Sequence, residues 1–244
     1  MKLAVCLHGG AVARTAMPLH PGDRALVALG RRLGLESIAV ELLAAGGVAP
    51  RAVNEAGEEG LARAVRVVDE ALATADAPAT GLVAERVLRE LKPDLIAFVA
   101  AADPEGAADV PAVLAFRLGA AYVPGAFELA AGASTPEGTA SFTARVWRGA
   151  VEVVLALPRG AVVEIDPTSA PASVLETGLA PLAVTPPSPN MPTKTAPIRV
   201  VTLADLSLDP TLVRRRDDLR GVVEPAPRPL VTTKSSTSLA ALLR

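Results

Sequence analysis

The chain has 244 residues, 50% of them hydrophobic but only 2% aromatic, and a formal net charge of -2. That length suits one large α/β domain or a domain with an arm, and the near-neutral balance excludes the basic surface that phosphate-backbone binding demands, so nucleic acid is not an expected partner. A single cysteine, Cys6, excludes an internal disulfide and points to a reducing compartment, for which cytoplasmic is the expectation.

In chain order, residues 2–7 form a continuous apolar run that ends at His8-Gly9-Gly10. It is too short for a membrane span, lacks the layout of a cleavable signal, and reads as a strand buried on both faces. Residues 23–33 place Ala25, Leu26, Leu29 and Leu33 at helical spacing, closed by Gly34. A strand over 37–43, a short helix over 55–62 and a strand over 64–68 follow. A helix over 78–91 carries Val83, Val87, Leu88 and Leu91 on one side and is broken by Pro93-Asp94, after which 95–99 is a strand and 110–118 a helix. The Ala-rich text beyond Asp109 is interrupted by Arg117, Pro124 and Glu128, so no membrane helix is expected there. Strands alternating with helices of this length imply βαβ units and a doubly wound, mostly parallel sheet, with the ligand crevice beyond the carboxyl ends of its strands. Segments 7–10, 68–80 and 100–109 are therefore the ones that can reach a ligand.

The pattern then changes. Residues 139–147 alternate, with Ala140, Phe142, Ala144 and Val146 on one side, and 151–157 repeat this with Val151, Val153, Leu155 and Leu157. Arg148-Gly149 joins them, which predicts a β-hairpin over 139–157, followed by a strand over 161–165. From Thr185 the text carries Pro186, Pro187, Pro189, Pro192 and Pro197, which no regular element tolerates. The expected organisation is an α/β domain over 1–184 with the added hairpin, then an extended C-terminal arm over 185–244 that leaves the domain. A strand over 198–203 is expected at the far end of that arm. The Ser/Thr-rich tail, 225–244, is expected to be poorly ordered unless a partner holds it.

No catalytic constellation stands out. Cys6 and His8 are two potential metal ligands, but His20 is the only other histidine, too few for a tetrahedral site. His8-Gly9-Gly10 matches an esterase oxyanion loop, yet no Gly-x-Ser-x-Gly elbow accompanies it, so a tight turn is the reading. Asp103, Glu105 and Asp109 read either as an acid cluster or as a solvated loop, the second being favoured. Asp76 and Thr80 flank a helix start, where capping and phosphate contact are compatible roles. The run Arg214-Arg215-Arg216-Asp217-Asp218 reads as a self-compensating solvated surface, and Trp147 as a lone exposed aromatic.

Five segments, in order, resemble the β subunit of an electron transfer flavoprotein. They are His20-Pro21-Gly22-Asp23-Arg24-Ala25-Leu26 at the first helix, residues 60–67 leading into the third strand, and Lys92-Pro93-Asp94-Leu95-Ile96 at the fourth. The hairpin with its exit Leu155-Ala156-Leu157-Pro158-Arg159-Gly160-Ala161-Val162-Val163 is the fourth, and Ser188-Pro189-Asn190-Met191-Pro192-Thr193-Lys194 the fifth. The resemblance implies an adenine nucleotide α-hydrolase-like fold that binds AMP, or a second FAD in the bifurcating branch. It also implies an α subunit as heterodimer partner, holding most of the redox FAD, and passage of electrons from dehydrogenases to an acceptor such as a quinone reductase. Such a chain is an electron carrier rather than an enzyme with catalytic side chains. Carried over by position, the nucleotide contacts are Leu7, His8, His20, Asp76, Thr80, Asp103 and Asp109, and the arm's partner contacts are Asn190, Met191 and Lys194.

The chain departs from the family pattern at several of these points. Cys6, Leu7 and His8 stand where the first strand leads into a Lys-containing motif, and His20 replaces an asparagine while Pro21 and Asp23 are kept. Asp76-Ala77-Pro78-Ala79-Thr80 keeps the aspartate and second threonine of an Asp-Thr-x-Ala-Thr loop. Asp109 replaces a glutamine, which exchanges a group that both donates and accepts for one that only accepts, and Pro111 removes a backbone donor. Two further readings follow: a nucleotide-free structural partner of an α subunit, and a stand-alone adenine-nucleotide-binding protein resembling a universal stress protein.

Overall fold

In a computed structural model, residues 1–13, 18–44, 51–100, 109–132, 142–166 and 196–213 are described. Their strands form one ten-stranded sheet, built from β1 (Lys2–Cys6), β2 (Val12–Ala13), β3 (Glu36–Leu43), β4 (Arg63–Val68) and β5 (Leu95–Val99). It continues with β6 (Tyr122–Ala131), β7 (Phe142–Arg148), β8 (Val151–Leu157), β9 (Ala161–Ile165) and β10 (Ile198–Val201). The order across the sheet is β10-β4-β3-β1-β5-β9-β6-β7-β8, with β2 against β3. All neighbours from β10 to β6 run parallel, and β6-β7-β8 are antiparallel. This is the mostly parallel α/β sheet with an added hairpin that the alternation of strand and helix signals predicts.

The helices lie on both faces because the parallel strands are apolar on both. α1 (Pro21–Arg32) and α2 (Arg51–Glu58) set Leu26, Leu29, Ala52, Val53 and Ala56 against Leu3, Val5, Ala39, Ala97 and Val99. α3 (Ala77–Leu91) and α4 (Val110–Leu118) set Val83, Val87, Leu91 and Leu114 against Ala4, Ile38, Val40, Ile96 and Phe98. With so few aromatics, these cores are built from small aliphatic side chains whose burial contributes roughly 25 cal/mol per Å². Asp94, in the turn before β5, accepts the Lys2 amide at 2.7 Å and pairs with Arg159, tying the amino ends of β1, β5 and β9 together.

Three expectations are corrected. The short helix is Arg51–Glu58 rather than 55–62, because Ala52, Val53 and Ala56 supply its buried stripe and Gly60, at φ +101°, ends the turn that follows. The ten-residue strand β6 was not expected, since Pro124 and Gly125 interrupt its text. They sit where the pairing with β9 shifts register between Val123 and Ala126, a bulge that tolerates both residues. Trp147 is not a lone exposed aromatic but half-buried, stacked on Phe127 with centroids 6.0 Å apart.

Of the expected arm, residues 196–213 return to the sheet. β10 pairs with β4, and Leu203, Leu206, Leu208 and Val213 join the core under α3 and α4. Residues 185–195, with Asn190, Met191 and Lys194, lie outside the described residues, as do 214–244, and so do 139–141 of the predicted hairpin.

Candidate functional site

The strand order reverses direction at β1. From it the chain moves to β3 and β4 on one side, then crosses to β5 on the other. At such a switch point the connections leaving adjacent carboxyl ends go to opposite faces, which opens a crevice. The connection after β1 is a short 3₁₀ turn, Leu7–Gly10, and the one after β5 leads to α4.

The turn is tightly held. Leu7 is buried, and His8 adopts a left-handed conformation, φ 58°, that a non-glycine residue adopts only when its surroundings fix it. Asp23, in the first turn of α1, does so: its Oδ2 accepts the His8 backbone N–H at 2.8 Å. Gly10, at φ +86°, lies so close to Phe98 and Val110 that a Cβ would come within 2.7 and 2.9 Å of them. That contact sets the start of α4 against the turn.

α1 approaches from the other face. His20 is its N-cap and accepts the Gly22 N–H on Nδ1 at 3.2 Å, and Pro21 follows at the first helical position. Gly22 permits the approach, since a Cβ there would stand 2.6 Å from Val99 Cγ1 at the end of β5.

Behind the turn is a buried ionic chain that sequence reasoning did not single out. The His8 Nε2 is 3.5 Å from Glu41 Oε1 on β3, and Glu41 Oε2 accepts from Arg66 Nε on β4 at 2.8 Å. His8, Glu41 and Arg66 are 8%, 3% and 6% exposed, and Asp23 is fully enclosed. His8 Nδ1, Asp23 Oδ1 and Arg66 Nη2 are buried with no hydrogen-bond partner among the described residues. Burial pushes the Asp23 carboxyl above the usual carboxylate range, against the lowering effect of the His8 amide bond, with the Glu41 charge adding a further rise. Burial likewise pushes the Cys6 thiol well up, with the Asp23 charge adding to it, so Cys6 is a packed thiol and no nucleophile.

The sequence-predicted residues divide accordingly. Leu7, His8 and His20 are brought together around Asp23. Asp109, exposed, stands at the start of α4 beside the turn but makes no side-chain cap bond, which leaves the helix's first N–H groups unclaimed by it. Its charge reaches Tyr122, whose hydroxyl is pushed up by burial, by its 2.6 Å bond to Glu164 Oε2, by the Glu164 charge and, least, by Asp109. Asp76 is the cap of α3, accepting the Ala79 N–H at 2.9 Å, while Thr80 is buried in the first turn rather than capping it. Both belong to α3, on the face opposite α1, and their hydrogen bonds stay within the start of that helix. Asp103 lies outside the described residues. Glu41 and Arg66 carried one signal: each is a charge flanked on both sides by apolar residues within a strand, where a buried charge must find a partner.

Among the described residues, no cluster of His, Cys, Asp and Glu could hold a metal ion, and no helix is long and apolar enough to cross a membrane. A search of curated proteins finds no match to this chain. The family model described as "Electron transfer flavoprotein domain" matches residues 10–206, which include α1, the hairpin and β10. The match covers well over half of the chain, and the protein belongs to the electron transfer flavoprotein family.

Proposed function

We propose that the chain is the β-type subunit of an electron transfer flavoprotein heterodimer and binds an adenine nucleotide, AMP or FAD, beyond the carboxyl ends of β1 and β5. The observation that carries this reading is the reversal of strand order at β1 within a chain of this family. There the turn after β1 is set by Gly10 against the start of α4, and the start of α1 is seated by Gly22 against Val99 of β5. Several features fit a nucleotide. The N–H groups at the start of α4 suit a phosphate, with Pro111 costing one donor. The buried polar atoms of His8 and Asp23 that lack a partner among the described residues suit hydroxyl or amine groups.

In this reading the α subunit holds most of the redox flavin, which when bound supplies the electron-carrying chemistry. The chain's own part is to complete the pocket and position the nucleotide, with electrons passing from dehydrogenases to an acceptor. Asp103 is carried as a proposed nucleotide contact, and Asn190, Met191 and Lys194 as proposed α-subunit contacts, by their positions in the sequence alone.

The test is co-expression with an α subunit, purification of the complex, and chromatographic identification of each nucleotide released on denaturation. FAD with AMP, or two FAD per heterodimer, is the expected result. FAD alone makes the chain a structural partner with an empty site, and failure to pair overturns the heterodimer reading.

A further inference from the structure

Glu41 and Arg66 match no motif, yet together they decide which nitrogen of the His8 ring can accept a hydrogen bond. They are register neighbours on β3 and β4, both almost fully buried. A guanidinium only donates, so Glu41 Oε2 is committed as acceptor to Arg66 Nε. The other oxygen, Oε1, faces His8 Nε2 at 3.5 Å, and a carboxylate oxygen can only accept. A hydrogen on Nε2 makes this contact attractive, whereas a bare Nε2 would set two acceptors face to face. In a neutral imidazole a hydrogen on Nε2 leaves Nδ1 as a bare acceptor, and Nδ1 is the buried atom with no partner among the described residues. Two apolar residues would fill the same space without the desolvation cost of a buried ion pair. The pair's orientation toward His8 gives it a use that packing does not.

We propose that Glu41 and Arg66 are positioning residues that hold His8 as its Nε2–H tautomer, so that Nδ1 accepts a hydrogen bond from the ligand of the crevice. This rests on the nucleotide reading above. The complementary ligand group is an N–H or O–H donor. An adenine nucleotide offers both, in its exocyclic amine and its ribose hydroxyls. A ligand carrying a carbonyl at the amine's place would set acceptor against acceptor.

Glu41→Gln tests this at constant shape. Its amide oxygen stays on Arg66, which can only donate, and its NH₂ turns toward His8. Nε2 must then accept, and the ring hydrogen moves to Nδ1. With only two histidines in the chain, ¹⁵N spectra of the imidazoles of the full-length protein resolve both, and His20→Asn identifies the second. The expected result is an Nε2–H ring in the wild type and an Nδ1–H ring in Glu41→Gln, with unchanged circular dichroism. AMP binding measured by calorimetry should weaken about tenfold in the variant, the value of one hydrogen bond to a buried group. Inosine monophosphate and 2′-deoxy-AMP separate the two donors. If the amine is read, Glu41→Gln reverses the preference of AMP over inosine monophosphate; if a ribose hydroxyl is read, 2′-deoxy-AMP binds both proteins alike.

An Nδ1–H ring in the wild type, an unmoved tautomer in Glu41→Gln, or a moved tautomer with unchanged AMP affinity overturns the inference alone. A wild-type Nε2–H ring in a chain that binds no AMP overturns the nucleotide reading, and with it this use of Nδ1. Should Glu41→Gln not fold, the wild-type tautomer and its discrimination among the three nucleotides decide.

Discussion

Asp23→Asn isolates the electrostatic cost of the candidate site. The carboxyl is fully enclosed; one oxygen accepts the His8 N–H at 2.8 Å and the other has no partner among the described residues. Its folded-state pKa is raised above 3.8, chiefly by burial. A raised folded pKa means that the native state holds the proton over a pH range in which the unfolded chain has released it. In that range the unfolded state binds fewer protons, so the slope of unfolding free energy against pH is negative. The contribution favourable to the native state is complete below the unfolded value. It is lost as pH rises through the raised folded value, above which the native protein bears the full cost of an enclosed carboxylate.

Asparagine has the same shape and keeps an oxygen for the His8 amide, but cannot ionise. At pH 7 Asp23→Asn is therefore expected to be more stable than the wild type by roughly 1–3 kcal/mol, the difference between leaving a charged and a neutral buried group short of a partner. Urea denaturation of both proteins at half-unit steps from about pH 4 to 8 measures it. The advantage of asparagine should grow from the acid end upward and then level off. An advantage independent of pH, or one that passes to aspartate as pH rises, would show that the site stabilises the ionised carboxyl and would refute the assignment of burial as the dominant effect.

Other outcomes follow from the same geometry. Cys6, only 2% exposed and held as a thiol, should react with iodoacetamide only as fast as the chain unfolds, so its labelling rate should track urea concentration. Gly22→Ala forces a methyl against both Cγ atoms of Val99, at 2.6 and 2.9 Å, and should lower stability by about 1–3 kcal/mol in thermal melts. Leu203→Ala should cost about 2–5 kcal/mol, since the side chain is fully buried in the core that residues 196–213 share with α3; a neutral result would mean that this segment is not part of the fold in solution.

How much of this was legible in the sequence depended on how local the physics was. Residues 95–99, 110–118, 151–157 and 161–165 form the elements expected, because apolar period and terminating Gly or Pro are local signals. β6 was hidden because Pro124-Gly125 reads as a breaker until the bulge that absorbs it is known. In the site, His20-Pro21 announced a helix start, and it is one. That Asp23 serves the His8 backbone rather than its own helix depends on how α1 seats on β1, 15 residues away. Glu41 and Arg66 were passed over in the sequence, because their pairing requires the β3–β4 register, which aligns Glu41 with Arg66 and is set by the whole strand pair. Thr80 and Asp76 were equally plausible caps by composition, and the choice between them is made by backbone geometry alone.

The end of β5 explains why these separate pieces form one site. Successive residues of a strand point to opposite faces, and β5 ends in two that touch opposite sides of the crevice. Phe98 meets Gly10 of the turn on the α4 face, and Val99 meets Gly22 of α1 on the other. The turn after β1 is thus gripped from below by its own strand, from one face through Phe98 and Val110, and from the other through Asp23 of α1. A packed interior resists deformation of any one of these contacts, so the left-handed backbone at His8, unfavourable for that residue in isolation, is the conformation left once the others are satisfied. The ionic chain through Glu41 to Arg66 then adds to a backbone already fixed. Its specific contribution is the orientation and hydrogen placement of one ring, which is the property that the binding and tautomer measurements address.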